Sequence, residues 1–292
     1  MFPLSKVLWR SLFWLTLGAS LLMLSPVRSA LEHHFLYFPD PDPVATPDLY
    51  GMDYEAVRFE AADGTLLNGW LIPGPAESPL VLFFMGNAGN MSYRLDNLLF
   101  LHRLGVSIFI YDYRGYGRSD GKACEPGLYS DALGALEFLR GRGWTPPQMI
   151  FFGRSLGAAV ALQTAIDKTP AGLVLESPFT SIKAMGKVHN PLLSLLLGWA
   201  LDADYDNLHK IGRLKSPLLI FHGEKDSICP PDMARTLYEQ APFPKELAWI
   251  TDADHNETFD KGGPSYQESW ERFLRQCTSR LSLAAPGDTM AR

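Results

Sequence analysis

Between residues 79 and 226 the chain alternates between two kinds of stretch. Short apolar runs, "PLVLFFMGN", "VSIFIYDYRGYG", "QMIFFG", "AGLVLESPF" and "PLLIFHGEKD", each end in glycine or a polar turn. Stretches that read as helices, over about 92–104, 128–140 and 155–166, lie between them. An unbroken apolar run suits a strand buried on both faces. Upstream, residues 54–60 and 65–72 alternate apolar and polar positions around Ala62-Asp63-Gly64, which predicts a β-hairpin. A last strand is expected near 246–250 and a last helix near 266–283. Buried strands alternating with helices predict an α/β fold, a mainly parallel central sheet with helices on both faces.

The first thirty residues break this pattern. Lys6 and Arg10 precede an uncharged run over 11–27, slightly short for a bilayer span of about 20 residues but within the tolerated range. Two readings stand. One is an uncleaved signal anchor with Trp9 and Trp14 near an interface. The other is a signal peptide cleaved near "VRSA". The leading positive charges keep the N-terminus cytoplasmic and send the rest across, so the main domain is expected to be extracytoplasmic, membrane-anchored or secreted. Residues 31–53, which include "FPDPDPVATPDLYG", read as an extended Pro/Asp-rich linker, because proline denies helices and sheets their donors. The main domain is then 54–283, with room for a small cap at 177–216 and a flexible tail at 284–292.

Composition narrows the partners. A chain of 292 residues buries a sizeable core without staples. A net charge of −6 without a basic stripe argues against nucleic acid. Cys124, Cys229 and Cys277 form no CxxC pair, so neither a zinc site nor a disulfide framework is suggested. His33 and His34 are adjacent, not at helical ligand spacing. His102, His189 and His209 have no clustered acidic or cysteine partners, and no metal is expected. Gly115, Gly117 and Gly121 miss the dinucleotide spacing, and no Walker sequence occurs, so no cofactor is expected either.

Ligands of such sheets bind beyond the carboxyl ends of the strands. There, Ser155 stands between Gly153 and Gly157 at a predicted strand-to-helix turn. Such a turn lifts the hydroxyl above the sheet, and the helix it opens offers the Leu156 amide to an oxyanion. The bland reading is a serine that caps a helix. Asp226 and His255 lie in the loops after the next strands and can arm it: the imidazole takes the serine proton, and the carboxylate orients the ring. A second oxyanion donor is the amide of Asn87, in the loop of "FFMGNAGN". Glu176 also follows a strand and is the runner-up for the acid. Asp252 and Asp254 read as turn residues, Asp112 and Arg114 as ties for a loop, and His222 as a satisfied structural histidine.

The stretches "FLYFPD", "GNAGN", "YDYRGYGRSDG", "GRSLG", "ESPFTSI", "SPLLIFHGEKDSICP" and "DADHNET" cover about residues 35–275. Together they resemble the α/β-hydrolase superfamily, whose chain order Ser, Asp, His they share. Within it the match is to small N-terminally anchored serine hydrolases related to serine aminopeptidase-like and depalmitoylating hydrolases. The resemblance implies an ester-, thioester- or amide-cleaving enzyme with no cofactor. Its catalytic residues would be Ser155, Asp226 and His255, its oxyanion donors Asn87 and Leu156, and its substrate a small or lipid-like acyl compound. Carboxylester or thioester cleavage is favoured over peptide cleavage. A catalytically silent scaffold and an acyltransferase are the alternatives. One departure stands out: many relatives carry His-Gly before the asparagine, and this chain has Met85-Gly86.

Overall fold

A computed structural model of the protein describes residue 14, residues 25–198 and residues 201–284. Its strands are β1 (Phe38–Pro39), β2 (Glu55–Glu60), β3 (Leu66–Ile72), β4 (Leu80–Phe84) and β5 (Ala88–Gly89). They continue with β6 (Ser107–Tyr111), β7 (Met149–Arg154), β8 (Gly172–Glu176), β9 (Leu218–Gly223) and β10 (Lys245–Ile250). The helices are α1 (Ser25–Leu36), α2 (Leu95–Arg103), α3 (Glu125–Gly141), α4 (Leu156–Asp167) and α5 (Ile182–His189). After them come α6 (Pro191–Leu197), α7 (Asn207–Ile211), α8 (Pro231–Gln240) and α9 (Thr258–Ala284).

Eight strands form one sheet in the order β10-β9-β8-β7-β4-β6-β3-β2. The five apolar runs become β4, β6, β7, β8 and β9, and every residue in them is buried. They pair in parallel, so their side chains must be covered on both faces by the crossover helices. The hairpin β2–β3 adds the antiparallel edge. On β2 only Val57 and Phe59 are buried, which matches a strand with one wet face. The order reverses at β4, which has β6 on one side and β7 on the other. The crevice at the carboxyl ends of β4 and β7 is therefore the topological switch point, where such sheets bind ligands.

Several elements differ from the sequence reading. Residues 31–36, read as the start of an extended linker, complete helix α1, because the first proline after Pro26 is Pro39. From Tyr37 the segment runs extended but bound, and it then turns through a 3-10 helix at Pro47–Tyr50 that the linker reading did not anticipate. Phe38 and Pro39 pair with Ala88 and Gly89, and the Asn90 side-chain amide donates to the carbonyls of Asp40 (3.1 Å) and Asp42 (3.0 Å). Helix α8 is an unanticipated element, built on Pro231 at its first turn and on buried Met233, Ala234 and Leu237. Helix α9 begins at Thr258, earlier than the expected 266, and breaks at Gly263 (φ 49°).

The cap region holds α5, α6 and α7. On α6, Leu192 and Leu195 are 69% and 78% exposed, so this helix is not a plain buried one. Helix α1 docks on the segment after α6. The Glu32 carboxylate accepts from the amides of Asp202 and Ala203, and the hydroxyls of Tyr37 and Tyr205 meet at 2.8 Å. Most of the signal segment expected over 1–30, and the tail beyond Ala284, lie outside the described residues. Among the described residues no helix is long and apolar enough to cross a membrane.

Candidate active site

Strand β7 delivers Ser155 to the switch point, and α4 starts at the next residue. The turn is too tight for side chains on its flanks. A Cβ on Gly153 would come 2.3 Å from the Gly157 carbonyl, and one on Gly157 would come 2.0 Å from the Phe84 carbonyl. Ser155 itself adopts φ 52° and ψ −115°, a conformation that costs a non-glycine residue about 1–3 kcal/mol. Its amide is pinned to the Glu176 carbonyl at 2.9 Å, which helps to hold that strain. No side-chain cap bond is made by this serine, so the helix-cap reading falls away and the hydroxyl is left for other work.

The hydroxyl meets His255: Ser155 Oγ lies 3.0 Å from His255 Nε2. On the far side of the ring, His255 Nδ1 lies 2.8 Å from Asp226 Oδ2. An ionised carboxylate only accepts, so Nδ1 carries the proton and Nε2 is free to accept from the serine. Asp226 is buried at the end of a turn after β9, and its Oδ1 accepts from the amides of Ile228 (3.0 Å) and Cys229 (2.7 Å). The two loops are braced together. Asp254 accepts from the amides of Ser227 and His255, both at 2.7 Å, and Lys225 pairs with Asp252 at 2.6 Å. Asp252 and Asp254 thus act as loop residues that fix where Asp226 and His255 meet.

The Asn87 loop crosses above the serine: a Cβ on Gly86 would sit 3.8 Å from Ser155 Cβ. The Met85 side chain is fully buried, and this loop is held without a histidine there. The Tyr113 hydroxyl donates to the Met85 carbonyl (3.0 Å), and the Tyr116 hydroxyl donates to Asn87 Oδ1 (2.8 Å). Leu156 supplies the first amide of α4, which has no acceptor within its own helix. Asp112 accepts the Met91 amide at 2.7 Å, and Arg114 clamps Asp63 and Asp131 at 2.8 Å each. Both therefore tie loops, as their place in the sequence suggests.

Glu176, the rival acid, is fully buried and engaged elsewhere. It accepts from Thr258 Oγ1 (2.7 Å) and the Tyr266 hydroxyl (2.6 Å), and Arg154 Nε lies 3.2 Å away. Sequence reasoning missed Arg154, which also reaches toward the His255 carbonyl (3.5 Å) and Asn256 Oδ1 (3.4 Å). It missed the place of His222 too. That ring lies 3.4 Å from Asp226 Oδ2 and 2.8 Å from the Cys229 carbonyl through Nε2, while its buried Nδ1 meets no partner among the described residues. His222 is thus satisfied on one nitrogen only. Burial holds it below the usual histidine range, although Asp226 pulls the other way.

Two cavities open onto Ser155. One, of about 620 Å³, is lined by His255, Arg94, Arg154, Tyr93 and Phe38. The other, of about 130 Å³, is mostly apolar, with Phe35, Leu36, Phe179, Ile182 and Met185 in its wall. Asn87 and Ile228 border both. Phe35 and Leu36 come from α1, so the segment read as a linker contributes a wall of the site.

The model of a family described as serine aminopeptidase matches residues 78–209. An uncharacterised protein of Mycobacterium tuberculosis is 36% identical over 248 residues, covering 84% of this chain and 88% of that protein. The α/β-hydrolase domain-containing protein WAV2 of Arabidopsis thaliana is 31% identical over 252 residues, covering 79% and 82%. Among solved structures, an esterase of Pyrococcus furiosus is similar with a TM-score of 0.69 at 22% identity, over 82% of this chain and 98% of its own. At that identity the likeness speaks to the fold.

Proposed function

Because the chain belongs to the α/β-hydrolase superfamily and is a hydrolase, we propose that it cleaves carboxylic esters or thioesters through an acyl-serine. The observation that carries this reading is the continuous line of bonds from Ser155 Oγ through His255 to Asp226, 3.0 Å and then 2.8 Å. His255 Nε2 takes the hydroxyl proton as Ser155 attacks the carbonyl carbon. Asp226 keeps the ring in the tautomer that can do this and stabilises the imidazolium that forms. The amides of Asn87 and Leu156 receive the oxyanion. The imidazolium then returns the proton to the leaving group, and water activated by the same ring releases the acyl group.

The cavities suggest how the substrate lies. His255 lines the larger one and not the smaller, so the leaving group it protonates departs into the larger. The apolar cavity of about 130 Å³ then takes a short acyl group. On the sequence alone, the run over 11–27 is read as a membrane anchor, with a cleaved signal peptide as the alternative, and either reading puts the domain outside the cytoplasm.

The test is labelling with a tagged fluorophosphonate, with the adduct mapped by mass spectrometry. The expected result is one adduct on Ser155, absent from Ser155→Ala and lost from His255→Ala. A folded protein that takes no label at Ser155 would overturn the reading.

A further inference from the structure

Two arginines, Arg94 and Arg154, and one carboxylate, Asp40, line the larger cavity. Arg154, 7% exposed, has Glu176 as its counter-ion. Arg94 comes from the loop ahead of α2, and its Nη2 donates to the Ala88 carbonyl at 2.5 Å. Its Nε is buried and meets no protein acceptor among the described residues. Among the described residues Arg94 forms no ion pair with a carboxylate, although the more distant Glu176 favours its charge. Burial, reinforced by the like charge of Arg154, pulls its guanidinium down to about 10. Asp40, the carboxylate in the same wall, accepts from the Tyr93 hydroxyl (2.6 Å) and the Asp42 amide (3.0 Å) and forms no ion pair with Arg94. Arg94 also lies near the serine turn: a Cβ built on Gly86 would be 3.9 Å from Arg94 Nη2 and 3.8 Å from Ser155 Cβ, so both side chains border Gly86.

Arg94 lines the cavity with a buried Nε that meets no protein acceptor among the described residues, which leaves a place for an anion beside it. The protein does not supply it, and the cavity is on the leaving-group side of His255. Resting on the hydrolase reading above, we infer that Arg94, backed by Arg154, selects substrates whose leaving half carries an anionic group such as a carboxylate. Arginine suits this work because its planar fork stays charged and binds carboxylate oxygens in pairs. The inference makes the enzyme a hydrolase of acyl esters of acidic alcohols or thiols, with the acyl group in the small apolar cavity.

The experiment compares two chromogenic esters with the same nitrophenolate chromophore, 5-acetoxy-2-nitrobenzoate and its neutral primary amide, on the full-length protein. Rates are normalised to base hydrolysis to remove leaving-group differences. A charge-assisted contact predicts kcat/KM about ten- to a hundredfold higher for the anionic ester. That ratio should fall toward one in Arg94→Met and recover in part in Arg94→Lys. A wild-type ratio at or below one, with the neutral ester turned over, would overturn the inference and leave the hydrolase reading standing. If neither ester is cleaved, the hydrolase reading fails instead. The anion site is then decided by titrating 5-hydroxy-2-nitrobenzoate and its amide into Ser155→Ala. Tighter binding of the anion supports the site, and equal binding removes it.

Discussion

Two buried carboxylates stand at the carboxyl ends of neighbouring strands, Glu176 on β8 and Asp226 just beyond β9. From the sequence they compete for one role. In the structure their surroundings separate them. Glu176 faces a permanent cation, Arg154, and two hydroxyl donors, so both of its oxygens are taken. Asp226 accepts from two backbone amides on Oδ1 and from the His255 ring on Oδ2, with the His222 ring 3.4 Å from Oδ2. A carboxylate already paired with arginine has little charge left to stabilise an imidazolium. A carboxylate held by neutral donors keeps its full charge for that purpose. The role of an acid is thus set by the charge state of its donors, more than by its place at a strand end.

The sharpest way to break this comparison is to neutralise each acid in turn. Asp226→Asn should lower kcat by about 10⁴, through the wrong imidazole tautomer, with little change in thermal midpoint. Glu176→Gln should do the reverse. Leaving Arg154 unpaired in a buried site should cost about 3–5 kcal/mol in urea unfolding, with a far smaller loss of kcat. If Glu176→Gln abolished turnover in a stable protein while Asp226→Asn kept it, the two assignments would have to be exchanged.

How much of this was legible in the sequence depends on the range of the physics involved. The strands were legible because each is an unbroken apolar run, and burial on both faces demands that pattern. The place of Ser155 was legible because its two glycines are forced by backbone contacts within a few residues or one strand away. Helix α8 was missed because it is short and largely polar, with only three buried side chains to mark it. Arg94 and Arg154 could not be paired on paper, since their neighbourhood depends on the β4 and β7 loops folding over one another. The wall formed by Phe35 and Leu36 was hidden for a related reason. The prolines that follow suggested a linker, and only docking through Glu32 and Tyr37 brings α1 to the site.

The smallest expected effect concerns His222, whose ring stands 3.4 Å from Asp226 Oδ2. Its ring is buried and its pKa is depressed, with burial the leading cause. In the unfolded chain the same side chain takes up a proton near pH 6.5. Between that value and its lower folded pKa, the unfolded state binds more protons than the folded state. Stability from this residue is therefore fully present above about pH 6.5 and is lost as the pH falls toward the folded pKa. His222→Gln removes the titration while keeping an amide that can donate to the Cys229 carbonyl. The urea midpoint of the variant should fall less steeply than that of the wild type between about pH 6.5 and 5, a window set by the unperturbed histidine value. The other titrating groups are common to both proteins and cancel in the difference. Parallel curves would mean that His222 charges as readily in the folded protein as in the unfolded one. Asp226 would then have the His222 cation beside it at acidic pH, and its contrast with Glu176 would narrow.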